Sequence, residues 1–208
     1  MHRFRIDPST IDAVLVSHLH GDHFGGLPFL LLDAAFITRR TRPLLVVGPT
    51  GIGQRVHRTT ELFFPGFWRN AGERLITFQE HVDRLTVSVA GARVTPFRVN
   101  HPSGAPAFAL RVECDGATIG YSGDTAWVDG LLEAAHGSDV FLCEASSFER
   151  PIPYHLTYKT VVERRAAFNT SRLILTHMGA DVIARAGHLA IECARDGQRI
   201  LVGRSTRR

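Results

Sequence analysis

Six consecutive residues, His18-Leu19-His20-Gly21-Asp22-His23, restrict this chain more than any other segment. They follow a short apolar run, residues 12–17, whose β-branched side chains predict a buried strand. They precede residues 24–37, which read as a helix. Two histidines two apart on an extended turn point the same way and can grip one ion. Gly21 lets the chain turn tightly, so that Asp22 and His23 can face a second ion. Imidazole and carboxylate without thiolate suit Zn²⁺, with Mn²⁺ or Fe²⁺ as alternatives. The ordinary reading is a polar loop with accidental histidines, and the density of ligand types weighs against it.

The rest of the chain alternates predicted strands and helices. Strands are expected at 44–47, at several places in 75–97, and at 139–143 and 173–176. Asp115-Gly116 marks a type I′ hairpin between 107–113 and 117–121. A second hairpin is expected between 188–194 and 199–202, turning at Asp196-Gly197. Helices are expected at 51–64, 127–135 and 158–168. The pattern implies a layered α/β (α+β) fold. At 208 residues a single domain spanning 1–208 is expected. Apolar residues make up 44% and charged residues 21%, which excludes disordered and low-complexity classes. No apolar run reaches the roughly 20 residues of a membrane-spanning helix. Neither a signal peptide nor a membrane partner is expected. Cys114, Cys143 and Cys193 are odd in number and lack metal spacing, which reads as buried thiols in a reducing, cytoplasmic setting. The net charge of +4 only weakly favours anionic partners. All but Lys159 of the basic side chains are Arg, which reads as coding bias. The arginines of 204–208 read as a frayed end.

Three further ligand types stand where strands are expected to end: His101 in Asn100-His101-Pro102, Asp124 in Ser122-Gly123-Asp124-Thr125, and His177 in Thr176-His177-Met178. Strand ends hold loops rigidly while side chains reach a cleft. Each is weak alone, but with the first motif their order and context are specific. From about Ile11 to Val202 the chain resembles the metallo-β-lactamase-fold hydrolases, in their ribonuclease Z-like and phosphodiesterase-like branch. The resemblance implies a four-layer αβ/βα sandwich with two divalent metal ions. His18, His20 and His101 would hold the first ion, and Asp22, His23 and His177 the second. Asp124 would bridge them, a metal-bridging hydroxide would be the nucleophile, and Asp22 would orient it or take its proton. Glu144, after the 140–143 strand, and His155, in Tyr154-His155-Leu156-Thr157, look like the branch's glutamate and the histidine it steers toward a leaving group. The bland alternative makes Glu144 a salt-bridge partner and Thr157 an N-cap; a cap does not conflict with the catalytic reading. The sequence has neither a G-x-S-x-G elbow nor an H-E-x-x-H helix.

The other histidines, His2, His57, His81, His136 and His188, are expected at the surface or half-buried. The aromatic cluster Phe63, Phe64, Phe67 and Trp68 is expected in the core, in a substrate wall or in a homodimer contact. The family places several strands before the histidine motif, so the chain is expected to be N-terminally short. The Gly-rich basic arm with which tRNA-processing relatives grip tRNA has no counterpart here. A small or nucleotide-like phosphodiester is therefore expected rather than tRNA. Hydrolysis of a thioester, lactone or sulfate ester, or a truncated inactive metal-binding module, are the alternatives. A redox di-iron enzyme is disfavoured because His20 stands where such relatives tend to carry glutamate.

Overall fold

The computed structural model describes residues 1–202, and its contacts group into two compact units. The expected frayed end at 204–208 and the side chain of His2 lie outside what is described.

The first unit comprises Met1–His81 with Ser103–Ala105. In chain order it contains β1 (Ala13–Leu15), α1 (Gly21–Phe24), α2 (Leu27–Leu32), β2 (Leu44–Gly48), α3 (Ile52–Phe63), α4 (Glu73–Leu75) and β3 (Ile76–Glu80). The three strands form a parallel sheet in the order β1-β2-β3. β2, Leu-Leu-Val-Val-Gly, is central and almost wholly buried, as an apolar run within a parallel sheet should be. Leu31, Val46, Ile52 and Val56, each fully buried, anchor its core. Burying a side chain of this kind contributes roughly 1.5–3 kcal/mol. The helix expected over 24–37 is interrupted. α1 closes at Gly25-Gly26, α2 restarts at Leu27-Pro28, and a π-helical turn, Asp33–Ile37, ends the segment.

One histidine of this unit departs from expectation. His81 is 5% exposed, not at the surface. Its main chain donates to the Gly48 carbonyl at the end of β2, which draws it inward. Burial pushes its pKa down from the usual 6.5 to about 4, against a smaller upward pull from the Val16 backbone. The unfolded chain therefore binds a proton below pH 6.5 that the fold resists until about pH 4. His81's share of the stability is full above pH 6.5 and is lost as the pH falls toward 4, on the order of 2–3 kcal/mol. Urea unfolding of wild type and His81→Leu between pH 7.5 and 4.5 checks this. The variant should lose less stability on acidification, and equal losses would remove His81 as the cause.

The second unit comprises Val82–Pro102 and Pro106–Arg208. Its strands are β4 (Val87–Val89), β5 (Ala92–Val99), β6 (Ala107–Cys114), β7 (Ala117–Tyr121), β8 (Val140–Ala145), β9 (Leu173–Met178) and β10 (Glu192–Cys193). They form one sheet in the order β10-β9-β8-β7-β6-β5-β4, parallel from β10 to β7 and antiparallel from β7 to β4. Helices α5 (Gly130–Ala135), α6 (Tyr158–Glu163) and α7 (Ala180–Ile183) complete the unit. Its core gathers around Phe141, Phe168, Leu131 and Leu175. The β6–β7 hairpin turns at Asp115 (φ 51°) and Gly116 (φ 79°), the two left-handed residues a type I′ turn requires. Thr157 caps α6, its side chain accepting from the Thr160 N–H. The hairpin expected across Asp196-Gly197 does not form. Gly197 turns (φ 75°) and Gln198 donates to the Arg195 carbonyl, but 199–202 finds no ladder and Leu201 is exposed. β10 pairs with β9 instead. Of the cysteines only Cys143 is buried; Cys114 is exposed and Cys193 half-buried.

Strands β5, β7, β8 and β9 run in one direction, so their C-terminal ends lie along one edge of the sheet. Every candidate site residue of this unit except His155 lies at or just beyond one of those ends.

Candidate functional site

In the first unit the motif leaves β1 and enters α1. His18 is buried, His20 is half-buried, and Asp22 and His23 lie in the first turns of α1. The ring of His18 lies 5.0 Å from that of His20 and 3.9 Å from that of His23, centroid to centroid. His23 Nε2 approaches Asp22 Oδ2 at 3.4 Å. Ser17 Oγ meets His18 Nδ1 at 3.1 Å, and Ser103 Oγ accepts from the Leu19 N–H. The short turn thus collects three imidazoles and a carboxylate, as the spacing predicts.

In the second unit, His101 is buried two residues past β5. Its Nδ1 lies 3.0 Å from the carbonyl of Tyr154. A carbonyl only accepts, so Nδ1 carries a proton. Asp124, 2% exposed, sits in a loop stitched on both sides. Thr125 N–H donates to Glu144 Oε1 at 2.5 Å, Asn100 N–H donates to Thr125 Oγ1, and Glu144 N–H donates to Ser122 Oγ. His177 occupies a β-bulge: β8 and β9 slip register between Glu144 and Ala145, and His177 takes φ 46°. Bulges of this kind re-aim a side chain, and a left-handed histidine is a strain seen at functional sites. His177 Nε2 comes to 3.3 Å from Asp124 Oδ2.

His155 follows Tyr154, itself left-handed at φ 64°. Its Nδ1 lies 3.0 Å from Glu144 Oε2, and its ring stacks parallel to that of His177 at 5.6 Å. Glu144 is fully buried. Burial, reinforced by the neighbouring Asp124, raises its pKa to about 8 against the pull of hydrogen bonds from Ser146 and Thr125. The histidine–glutamate pair expected from the sequence is therefore made, and Glu144 forms no surface salt bridge. Ser146 was not singled out by its sequence context. Its Oγ donates to Glu144 Oε2 at 2.5 Å and meets Nδ1 of both His155 and His177.

These donor sets fit divalent ions by their chemistry. They are imidazoles and carboxylates with no thiolate, and one donor atom each from Asp124, Glu144, His155 and His177 lies within 4.8 Å of the others. Within that group Glu144 is occupied as a hydrogen-bond acceptor, its Oε1 by the Thr125 N–H and its Oε2 by the Ser146 hydroxyl.

A family model described as the Beta-lactamase superfamily domain matches residues 1–178. The chain belongs to the beta-lactamase superfamily. As a superfamily member it is 34% identical over 182 residues to an uncharacterized protein of Mycobacterium leprae, covering 83% of this chain and 61% of that protein. The chain thus spans about three-fifths of the length of its mycobacterial relatives. A ribonuclease Z of Ignicoccus hospitalis is 28% identical over 85% of this chain and 73% of its own length. In fold it is similar to the short form of human tRNase Z, with a TM-score of 0.74 and 22% identity, over 97% of this chain and 83% of that one. The mixed α/β architecture with two sheets agrees with these neighbours.

Proposed function

We propose that this chain is a metal-dependent hydrolase that cleaves small or nucleotide-like phosphodiesters with two divalent ions, zinc in the first place. His18, His20 and His101 would hold one ion, Asp22, His23 and His177 the other, and Asp124 would serve both. Bound ions of this kind lower the pKa of water and offset charge at phosphorus. Asp22, an exposed carboxylate in the first turn of α1, is available to take a proton from the attacking water. His155 donates a proton from Nε2 to the leaving oxygen as its bond to phosphorus breaks. Glu144 holds Nδ1 on the other side of the ring and so fixes which way the ring faces.

The observation that carries this reading is the 3.0 Å His155–Glu144 pair, set beside Asp124 and His177. A hydrolase of thioesters or lactones has less need of a proton donor backed by a buried carboxylate. The sequence relatedness to ribonucleases Z supports the phosphodiester class. We place the protein in the cytoplasm. Among the described residues no helix is long and apolar enough to cross a membrane. A second copy is the proposed partner for the exposed side chains of Phe29, Phe36, Leu62 and Phe63.

A substrate screen of the zinc-loaded protein tests the reading. Bis(p-nitrophenyl) phosphate should turn over faster than thioester, lactone and sulfate ester probes. Turnover confined to one of those probes, or none at all, would overturn it.

A further inference from the structure

Residues 147–154 lead from β8 to His155, and both ends of the segment are fastened. Ser147 Oγ donates to the Arg150 carbonyl, and the Phe148 N–H donates to Asp181 Oδ2 at 3.0 Å. The Phe148 ring stacks on that of Tyr158, with centroids 5.2 Å apart. At the other end the Tyr154 carbonyl lies 3.0 Å from His101 Nδ1, and the His155 N–H closes a turn on the Ile152 carbonyl. Pro151 and Pro153 fix two further backbone angles. The residue strained by this frame is Tyr154. Its φ is 64°, in a left-handed region that bulky side chains rarely adopt. The residue is 48% exposed, so core packing does not offset the strain. A strained backbone that packing does not account for points to a side chain placed for a ligand.

We propose that Tyr154 is a specificity residue whose ring stacks on a nucleobase of the substrate. A tyrosine ring offers a broad amphipathic face with few torsions to freeze, and stacking accepts any base. The fastened segment lowers the cost further, because little of the loop is left to order on binding. The place in the fold suits the role. Tyr154 immediately precedes His155, whose ring lies 4.8 Å from that of His101. The inference deepens the reading above and rests on its assignment of His155 beside the leaving group.

Calorimetry on the zinc-loaded protein tests this with adenosine monophosphate and ribose phosphate, which differ only in the base. Wild type should bind the nucleotide about 10- to 100-fold more tightly. Tyr154→Phe should keep that preference, and Tyr154→Ala and Tyr154→Gly should lose most of it. Urea unfolding separates the role from a structural one. Glycine accepts the left-handed backbone, so Tyr154→Gly should unfold at a urea midpoint no lower than that of wild type. A wild type with no preference for the nucleotide would overturn the proposal, as would a preference that survives in Tyr154→Gly. A Tyr154→Gly protein that lost stability together with the preference would overturn it too, by making the ring a packing element. Turnover of bis(p-nitrophenyl) phosphate is read separately. A protein inert toward that ester that still shows a Tyr154-dependent preference would sink the proposed function and leave this assignment standing.

Discussion

Asp124→Ala is expected to lose metal and activity together, with phosphodiester turnover falling by about 10³-fold or more. Asp124 is 2% exposed, and its loop is fastened by Thr125 to Glu144 and to the main chain of Asn100. Its carboxylate is therefore pre-placed. On the proposed reading it is also the one side chain serving both ions, with two oxygens to share between them. Elemental analysis of the purified variant, read beside its rate on bis(p-nitrophenyl) phosphate, checks the result. An Asp124→Ala protein that keeps a full metal load would show that this carboxylate is not a ligand.

His155→Ala should separate metal binding from chemistry. Its metal content should match wild type, while kcat should drop by about 10²- to 10⁴-fold, the range a positioned proton donor supplies. The loss should shrink for esters whose leaving group needs no proton. The variant also strands Glu144, which is fully buried and loses one of its partners. Thermal unfolding run alongside guards against reading a folding defect as a catalytic one. Full activity on an ester of a poor leaving group would remove His155 from the mechanism.

How much of this was legible beforehand follows a physical divide. Local chemistry read well. Asp115-Gly116 makes its hairpin because both residues accept a left-handed backbone, and Thr157 caps α6 because its hydroxyl needs only the Thr160 N–H. The H-x-H-x-D-H turn collects three imidazoles and a carboxylate because strand, glycine and helix start lie within a few residues of one another. Non-local choices read poorly. Asp196-Gly197 carries the same turn chemistry, yet no hairpin forms, because the chain at 192–193 pairs with β9 and 199–202 lacks a partner. His81 reads as a surface histidine until its main chain is seen tied to the end of β2. Ser146 is one of many serines in the sequence. Only the bulge in β9 brings it under His177, and nothing in Glu144-Ala145-Ser146 announces that bulge.

The claim at the centre of this account is a pair of divalent ions held by histidine and aspartate. Calorimetric titration of zinc into the metal-stripped protein measures it directly. Two equivalents per chain are predicted for wild type, with binding lost in Asp124→Ala. A wild-type protein that takes up one equivalent or none would contradict the account.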